Sequence, residues 1–156
     1  MNRREALKTS GSTMALALAA SAGILNPTTS AAAEAWNKAA FEVKSLNEVV
    51  KAMGGTAATE SKDISFVNAP DIAENGAVVP VGATSKIPKT ESISILVEKN
   101  PNALSASFMI PEGTEPTIST RVKMGQTSNI YALVKADGKY FYAVKEVKVT
   151  LGGCGG

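Results

Sequence analysis

The stretch SNIYALVKADGKYFYAVKEVKVT, from Ser128 to Thr150, reads as two strands on either side of Asp137-Gly138. Both runs carry the Ile, Val, Tyr and Phe typical of strands, and an Asp-Gly pair accepts the positive φ angles of a two-residue hairpin turn. The expected strands are 128–135 and 140–150. In the second, Tyr142 and Val144 fall on one parity while Val147, Val149 and Leu151 fall on the other. A side-chain period of two cannot place both sets on one face, so the change of phase predicts a bulge.

The same period extends upstream. Ile93, Ile95 and Val97 alternate with Ser92 and Ser94, as a half-buried strand requires. Further strands are expected at 64–68, 77–83, 92–97, 104–109 and 117–123. Pro80 interrupts the second of these, and because proline cannot donate to a ladder it points to an edge or a bulge. Seven short strands separated by turns predict an immunoglobulin-like, seven-strand antiparallel sandwich. No internal repeat or low-complexity segment is visible outside the first 33 residues.

Before the strands the period changes to that of a helix. Trp36, Ala40, Val43, Leu46, Val50 and Met53 recur at three- and four-residue steps and form one apolar face. Ser45-Leu46-Asn47-Glu48 fits a capping box, which predicts a restart of the helix at Ser45, and Gly54-Gly55 stops it. This face is expected to pack on the sandwich or on a partner.

The N-terminus has the organisation of an export leader. Met1 to Lys8 is basic, Met14 to Leu25 (MALALAASAGIL) is an apolar run too short to span a bilayer, and Pro27 ends its helical potential. Ala31-Ala32-Ala33 offers small side chains to a signal peptidase, with Ala33-Glu34-Ala35 as a second choice. The adjacent arginines of NRREALK resemble a twin-arginine signal. The expected division is therefore a signal peptide at 1–33, a helix-plus-sandwich domain at 34–150 and a C-terminal arm at 151–156.

Composition narrows the function. At 156 residues, 44% hydrophobic and 5% aromatic, the chain suits one modest domain with a leader. Losing Arg3, Arg4, Lys8 and Glu5 with the leader leaves thirteen basic and thirteen acidic side chains. That neutral surface argues against nucleic acid as a partner, and a cleaved chain keeps no membrane segment. Histidine is absent, which removes the usual general base, the Ser-His-Asp arrangement and the commonest transition-metal ligand. Asp71 with Glu74, and Glu112 with Glu115, read as solvated loop charge. No phosphate-loop pattern surrounds the isolated glycines, so neither a catalytic residue nor a cofactor is expected.

One reactive group remains. The chain ends TLGGCGG, and Cys154 is its single cysteine. One thiol cannot form a CxxC redox pair or a four-thiolate zinc site. In an exported protein it is either linked to another chain or kept reactive. Gly152 and Gly153 separate it from the last strand, and Gly155 and Gly156 leave it unshielded, because glycine has no Cβ and accepts most backbone angles. At up to ~3.5 Å per extended residue, three residues beyond Leu151 carry the sulfur roughly 10 Å outward. A flexible arm of this length suits entry into another protein's cleft.

TLGGCGG resembles the C-terminal signature of the SoxY family, the carrier subunits of the periplasmic Sox thiosulfate-oxidising system. PDIAENGAVVPVGAT (Pro70 to Thr84) and KNPNALSASF (Lys99 to Phe108) are similar to that family's central segments, and the leader fits it too. The resemblance implies that Cys154 is coupled oxidatively to the sulfane sulfur of thiosulfate by the cytochrome SoxAX. SoxB then releases sulfate, and SoxCD, where present, oxidises the remaining sulfane. It further implies a heterodimer with SoxZ and a periplasmic location. A different class remains open on the residues alone: a passive exported interaction module whose cysteine is a disulfide tether. A thiol peroxidase is a weaker third reading, since nothing in the neighbouring sequence would lower the thiol pKa.

Overall fold

The Asp137-Gly138 hairpin is the spine of the protein. The computed structural model describes residues 37–150, and in it both turn residues have positive φ, 49° and 72°, the geometry that matches strand twist in a two-residue turn. The strands are β1 (Ala58–Glu60), β2 (Ile64–Val67), β3 (Ile72–Ala73), β4 (Val79–Ser85), β5 (Thr90–Val97), β6 (Leu104–Met109), β7 (Thr117–Val122), β8 (Ser128–Ala136) and β9 (Lys139–Val149). Two short helices precede them, α1 (Lys38–Glu42) and α2 (Leu46–Ala52). The larger sheet runs β1-β9-β8-β5-β6, with β3 also on β9, and the smaller runs β2-β4-β7. The two form an immunoglobulin-like sandwich.

All seven expected strands are present within two residues of their expected bounds. The count needs correction, because the described residues contain nine. Strands β1 and β3 have three and two residues, too few to show an alternation. Both pair parallel to the outer side of β9, through Ala58↔Tyr140 to Glu60↔Tyr142 and through Ile72↔Lys148 and Ala73↔Val149. The sandwich is therefore mostly, not wholly, antiparallel.

The bulge expected in β9 is absent from its pairing with β8. The register is unbroken from Ser128↔Val147 to Ala136↔Lys139. The change of phase has another cause: both faces of β9 are covered. Phe141, Ala143, Val147 and Val149 face the core between the sheets, while Tyr140 and Tyr142 face the helices. Register shifts do occur on β5, between Ile95 and Leu96 against β6 and between Thr90 and Ser92 against β8. Pro80 does lie at a local edge. Strand β2 reaches only as far as Gly82, so Pro80 has Arg121 of β7 on one side and no strand on the other, where a missing donor is tolerated.

Two apolar clusters hold these layers. Val79, Val81, Ile93, Ile95, Val97, Ile130 and Val134 are fully buried between the sheets, each contributing roughly 1.5–3 kcal/mol by burial. Ala40, Val49, Val50, Leu96, Leu104, Leu133 and Tyr140 form the second cluster, under the helices. Of the expected helical face, Ala40 and Val50 are buried, and Val43, Leu46 and Met53 pack around them; Trp36 lies outside the described residues.

The helix signals act as read. The Glu48 amide donates to Ser45 Oγ at 3.3 Å, and the Glu48 carboxylate accepts from the amides of Ser45 and Lys44 at 3.2 and 3.0 Å. At the other end Gly54, with φ of 88°, donates to the Lys51 carbonyl at 3.0 Å, and Gly55 donates to the Val50 carbonyl at 2.8 Å. This paired closure needs a left-handed residue. Gly55 serves a second purpose: a Cβ there would lie 2.6 Å from the Tyr140 ring. With that space left free, the Tyr140 hydroxyl donates to the Met53 carbonyl at 2.7 Å and ties helix to sheet.

Candidate functional site: the root of the C-terminal arm

Strand β9 delivers the chain to the arm. Its pairing with β8 ends at Val147, so residues 148–150 need other partners. Strand β3 supplies one flank, with Lys148 donating to the Asp71 carbonyl at 2.9 Å and Thr150 to the Ala73 carbonyl at 3.1 Å. Thr127 supplies the other, its Oγ1 accepting from the Val149 amide at 3.0 Å. The chain is thus held from both sides up to Thr150. Cys154, Gly152, Gly153, Gly155 and Gly156 lie outside the described residues, as does the leader. Covalent geometry alone keeps Cys154 within roughly 14 Å of Thr150, four extended residues away.

Lys145 reinforces this root. Its ammonium donates to the Ala69 carbonyl and pairs with the Asp71 carboxylate at 3.0 Å, which draws the segment before β3 against β9. Asn68 turns that segment with φ of 58°, a conformation asparagine tolerates better than most residues. Neither Lys145 nor β3 was among the residues expected from sequence to matter. A signal existed: Lys145 shares the parity of Phe141, Ala143, Val147 and Val149, placing a charge in an otherwise apolar series.

The ionisable groups of the body serve structural contacts. A hydrogen bond from Lys135, then one from the Gly138 amide, holds the Glu91 carboxyl below its usual range. Backbone hydrogen bonds from Lys44, with Ser45 adding to them, do the same for Glu48. Burial, then the Glu98 carboxylate, pushes the Tyr131 hydroxyl up, and burial raises Tyr140. Carboxylates held ionised and phenols held neutral are poor general acids and nucleophiles respectively. Glu74, Glu112 and Glu115 are exposed, as expected of loop charge, whereas Asp71, exposed as well, pairs with Lys145. Among the described residues no three His, Cys, Asp or Glu side chains converge as a metal site.

A cleft of about 610 Å³ lies between the β4–β5 and β6–β7 connections, lined by Ile87, Lys89, Glu91, Ile110, Glu112 and Thr114 among others. Glu91 also accepts from Gly138 at 3.1 Å, so this cleft sits at the turn end of β9. The arm leaves from the opposite end. The cleft and the described end of the chain at Thr150 are therefore separated along the long axis of the hairpin.

With this geometry in place, the comparisons with known proteins are specific. The family described as sulfur oxidation protein SoxY matches residues 49–154. The structure of the sulfur carrier protein SoxY from Chlorobium limicola f thiosulfatophilum is 40% identical, with a TM-score of 0.59 over 66% of this chain and 93% of that one. A single-substitution variant of the superoxide reductase (neelaredoxin) of Ignicoccus hospitalis is 18% identical, with a TM-score of 0.49 over 64% of this chain and 87% of that one. The human F-spondin reeler domain is 10% identical, with a TM-score of 0.43 over 63% of this chain and 98% of that one. No curated protein matches the sequence.

Proposed function

Because the chain belongs to the SoxY family of sulfur oxidation proteins, we propose that it is a sulfur-compound carrier whose Cys154 covalently holds thiosulfate-derived intermediates. The observation that carries this reading is the extent of the family match, which runs from α2 to residue 154 and so takes in the cysteine itself.

The chemistry asks little of the carrier. The Cys154 sulfur and the sulfane sulfur of thiosulfate form a disulfide bond, two electrons pass to the cytochrome SoxAX, and the thiol proton leaves to water. Hydrolysis by SoxB then adds a water oxygen to the sulfonate sulfur and breaks its bond to the sulfane sulfur. Sulfate departs and a persulfide stays on Cys154, for SoxCD to oxidise where that enzyme is present. The body anchors the arm, the glycines Gly152, Gly153, Gly155 and Gly156 give access, and the partner enzymes supply the catalysis. The working unit is a heterodimer with SoxZ in the periplasm, reached through a twin-arginine leader that is removed. It requires no cofactor of its own and engages neither nucleic acid nor membrane.

Mass spectrometry of the native protein after exposure to thiosulfate and SoxAX tests this directly. Thiosulfonate or sulfane adducts are expected on the C-terminal peptide that contains Cys154. An unmodified thiol would overturn the carrier reading, and a stable interchain disulfide as the sole form in active preparations would show a tether in its place.

A further inference from the structure

Strand β3 has only two residues, and a two-residue strand does not hold its place unaided. Its side chains divide the work unequally. Ala73 is buried in the core between the sheets, whereas Ile72 is 58% exposed and contributes little. The remaining hold comes from backbone hydrogen bonds to β9, those of Lys148 and Thr150 among them, from the Thr150 hydroxyl on the Ala73 carbonyl, and from Lys145, whose ammonium reaches Ala69 and Asp71 just before β3 begins. Asp71 is 88% exposed on its side chain, so its ion pair is well screened. The hydrogen bond from the charged amine to the Ala69 carbonyl is the stronger half of the latch.

We propose that Lys145 and β3 form a clamp that fixes where the arm begins, making Lys145 a positioning residue for Cys154. The proposal rests on the reading of Cys154 as the carrier residue, but its mechanics do not. With the clamp closed, the chain is held as far as Thr150. If β3 peels away, what remains past the last β8 pair at Val147 is the tie from Thr127 to Val149 together with the packing of the Val149 side chain on the core. Losing that as well frees Lys148, Val149 and Thr150, and the tether grows from four residues to seven. Its maximum span rises from roughly 14 Å to roughly 24 Å. A longer tether dilutes the sulfur through a larger volume and lowers its effective concentration at a docked enzyme. The clamp therefore keeps the arm short.

The test uses the full mature chain, with Lys145→Met to keep the stem but remove the donor, Lys145→Arg to restore a donor, and Asp71→Asn as a mild change at an exposed site. Amide exchange is read at Lys148 and Thr150, with Ile95 and Val134 as references for global opening. In Lys145→Met the two root amides should exchange at least about fivefold faster than in wild type while the references do not change. Asp71→Asn should shift the same amides by about twofold, and Lys145→Arg should recover most of the protection. A nitroxide on Cys154, the only cysteine, reports reach: its broadening should spread further from Thr150 in Lys145→Met than in wild type. Unchanged root exchange in both Lys145→Met and Asp71→Asn overturns the clamp. So does acceleration of all four amides together, or faster root exchange with an unchanged broadening footprint. None of these readouts requires sulfur loading, so failure of the clamp and failure of the carrier reading remain distinguishable.

Discussion

Cys154 was singled out in the sequence by elimination, since no histidine and no second cysteine compete with it for chemistry, and it lies outside the described residues. Lys145 was not, because a lysine within an apolar parity carries no sign of which carbonyl it will reach. The two residues predict different failures. As part of the proposed arm, Cys154 is expected to bury little apolar area. Cys154→Ser should therefore leave the thermal midpoint unchanged within about 1 °C while abolishing sulfur loading, as read by calorimetry and mass spectrometry on one preparation. A large loss of stability would mean that the cysteine is part of the fold. The neighbouring glycines should matter for access and not for thiol reactivity. A branched side chain adds bulk and narrows the backbone angles that a confined channel must admit. Gly153→Val or Gly155→Val should slow loading by SoxAX and turnover by SoxB at least about tenfold. Alkylation by a small reagent approaching from open solvent should change by less than about threefold, because the thiolate fraction is untouched. Parallel losses in both rates would show that the glycines tune the sulfur itself.

At the level of elements, whatever carried its own local signal was readable and whatever depended on a distant partner was not. The capping box Ser45 to Glu48 and the turn Asp137-Gly138 are made within a few residues, so their sequence sufficed. Strands β1 and β3 exist only because β9 offers an outer flank some eighty residues later, and no alternation in two or three residues announces that. The two-faced burial of β9 was mistaken for a bulge because α1 and α2 cover a sheet face that a simple sandwich leaves to solvent. These local devices give measurable stabilities. Ser45→Ala removes the acceptor for the Glu48 amide and should lower stability by about 1 kcal/mol in denaturant unfolding. The second device is pH-dependent. Glu91 ties the end of β8 to the hairpin turn, and Lys135 and the Gly138 amide depress its carboxyl. A depressed carboxyl stabilises the fold above its unfolded value of ~4.3, and that contribution is lost as pH falls through the folded value. Wild type should melt above Glu91→Gln at neutral pH, and the two curves should converge in acid. A gap that widens below pH ~4 would reverse the sign of this linkage.

At the scale of the whole molecule, the larger sheet is covered along one edge and ends on an unpaired strand along the other. The outer flank of β9 is covered by β1, β3 and the segment latched by Lys145, whereas β6 ends the same sheet and pairs with β5 alone. Strand β6 reads LSASFM, with no charge and no proline to discourage a neighbouring strand, and Met109 at its end is 59% exposed. An uncharged edge of this kind attracts another chain. The same sequence run that placed the strand could not reveal the open edge, because edge position is decided by topology. If the carrier works as a heterodimer with SoxZ, β6 is, like β2 of the smaller sheet, an edge without charge or proline, and pairing through β6 should slow amide exchange across residues 104–109 when SoxZ is added. Met109→Lys should weaken the heterodimer at least about tenfold by placing a solvated charge at that edge. The substitution is on the surface, so the thermal midpoint of the isolated chain should change little. Binding of SoxZ to wild type and Met109→Lys, measured by calorimetry at two temperatures, separates the outcomes. Burial of apolar surface gives a negative heat-capacity change, and the thirteen basic and thirteen acidic side chains of residues 34–156 leave little net attraction for salt to screen. Equal affinities for wild type and variant would move the interface off β6. A complex that dissolves in moderate salt would place it on the charged surface instead.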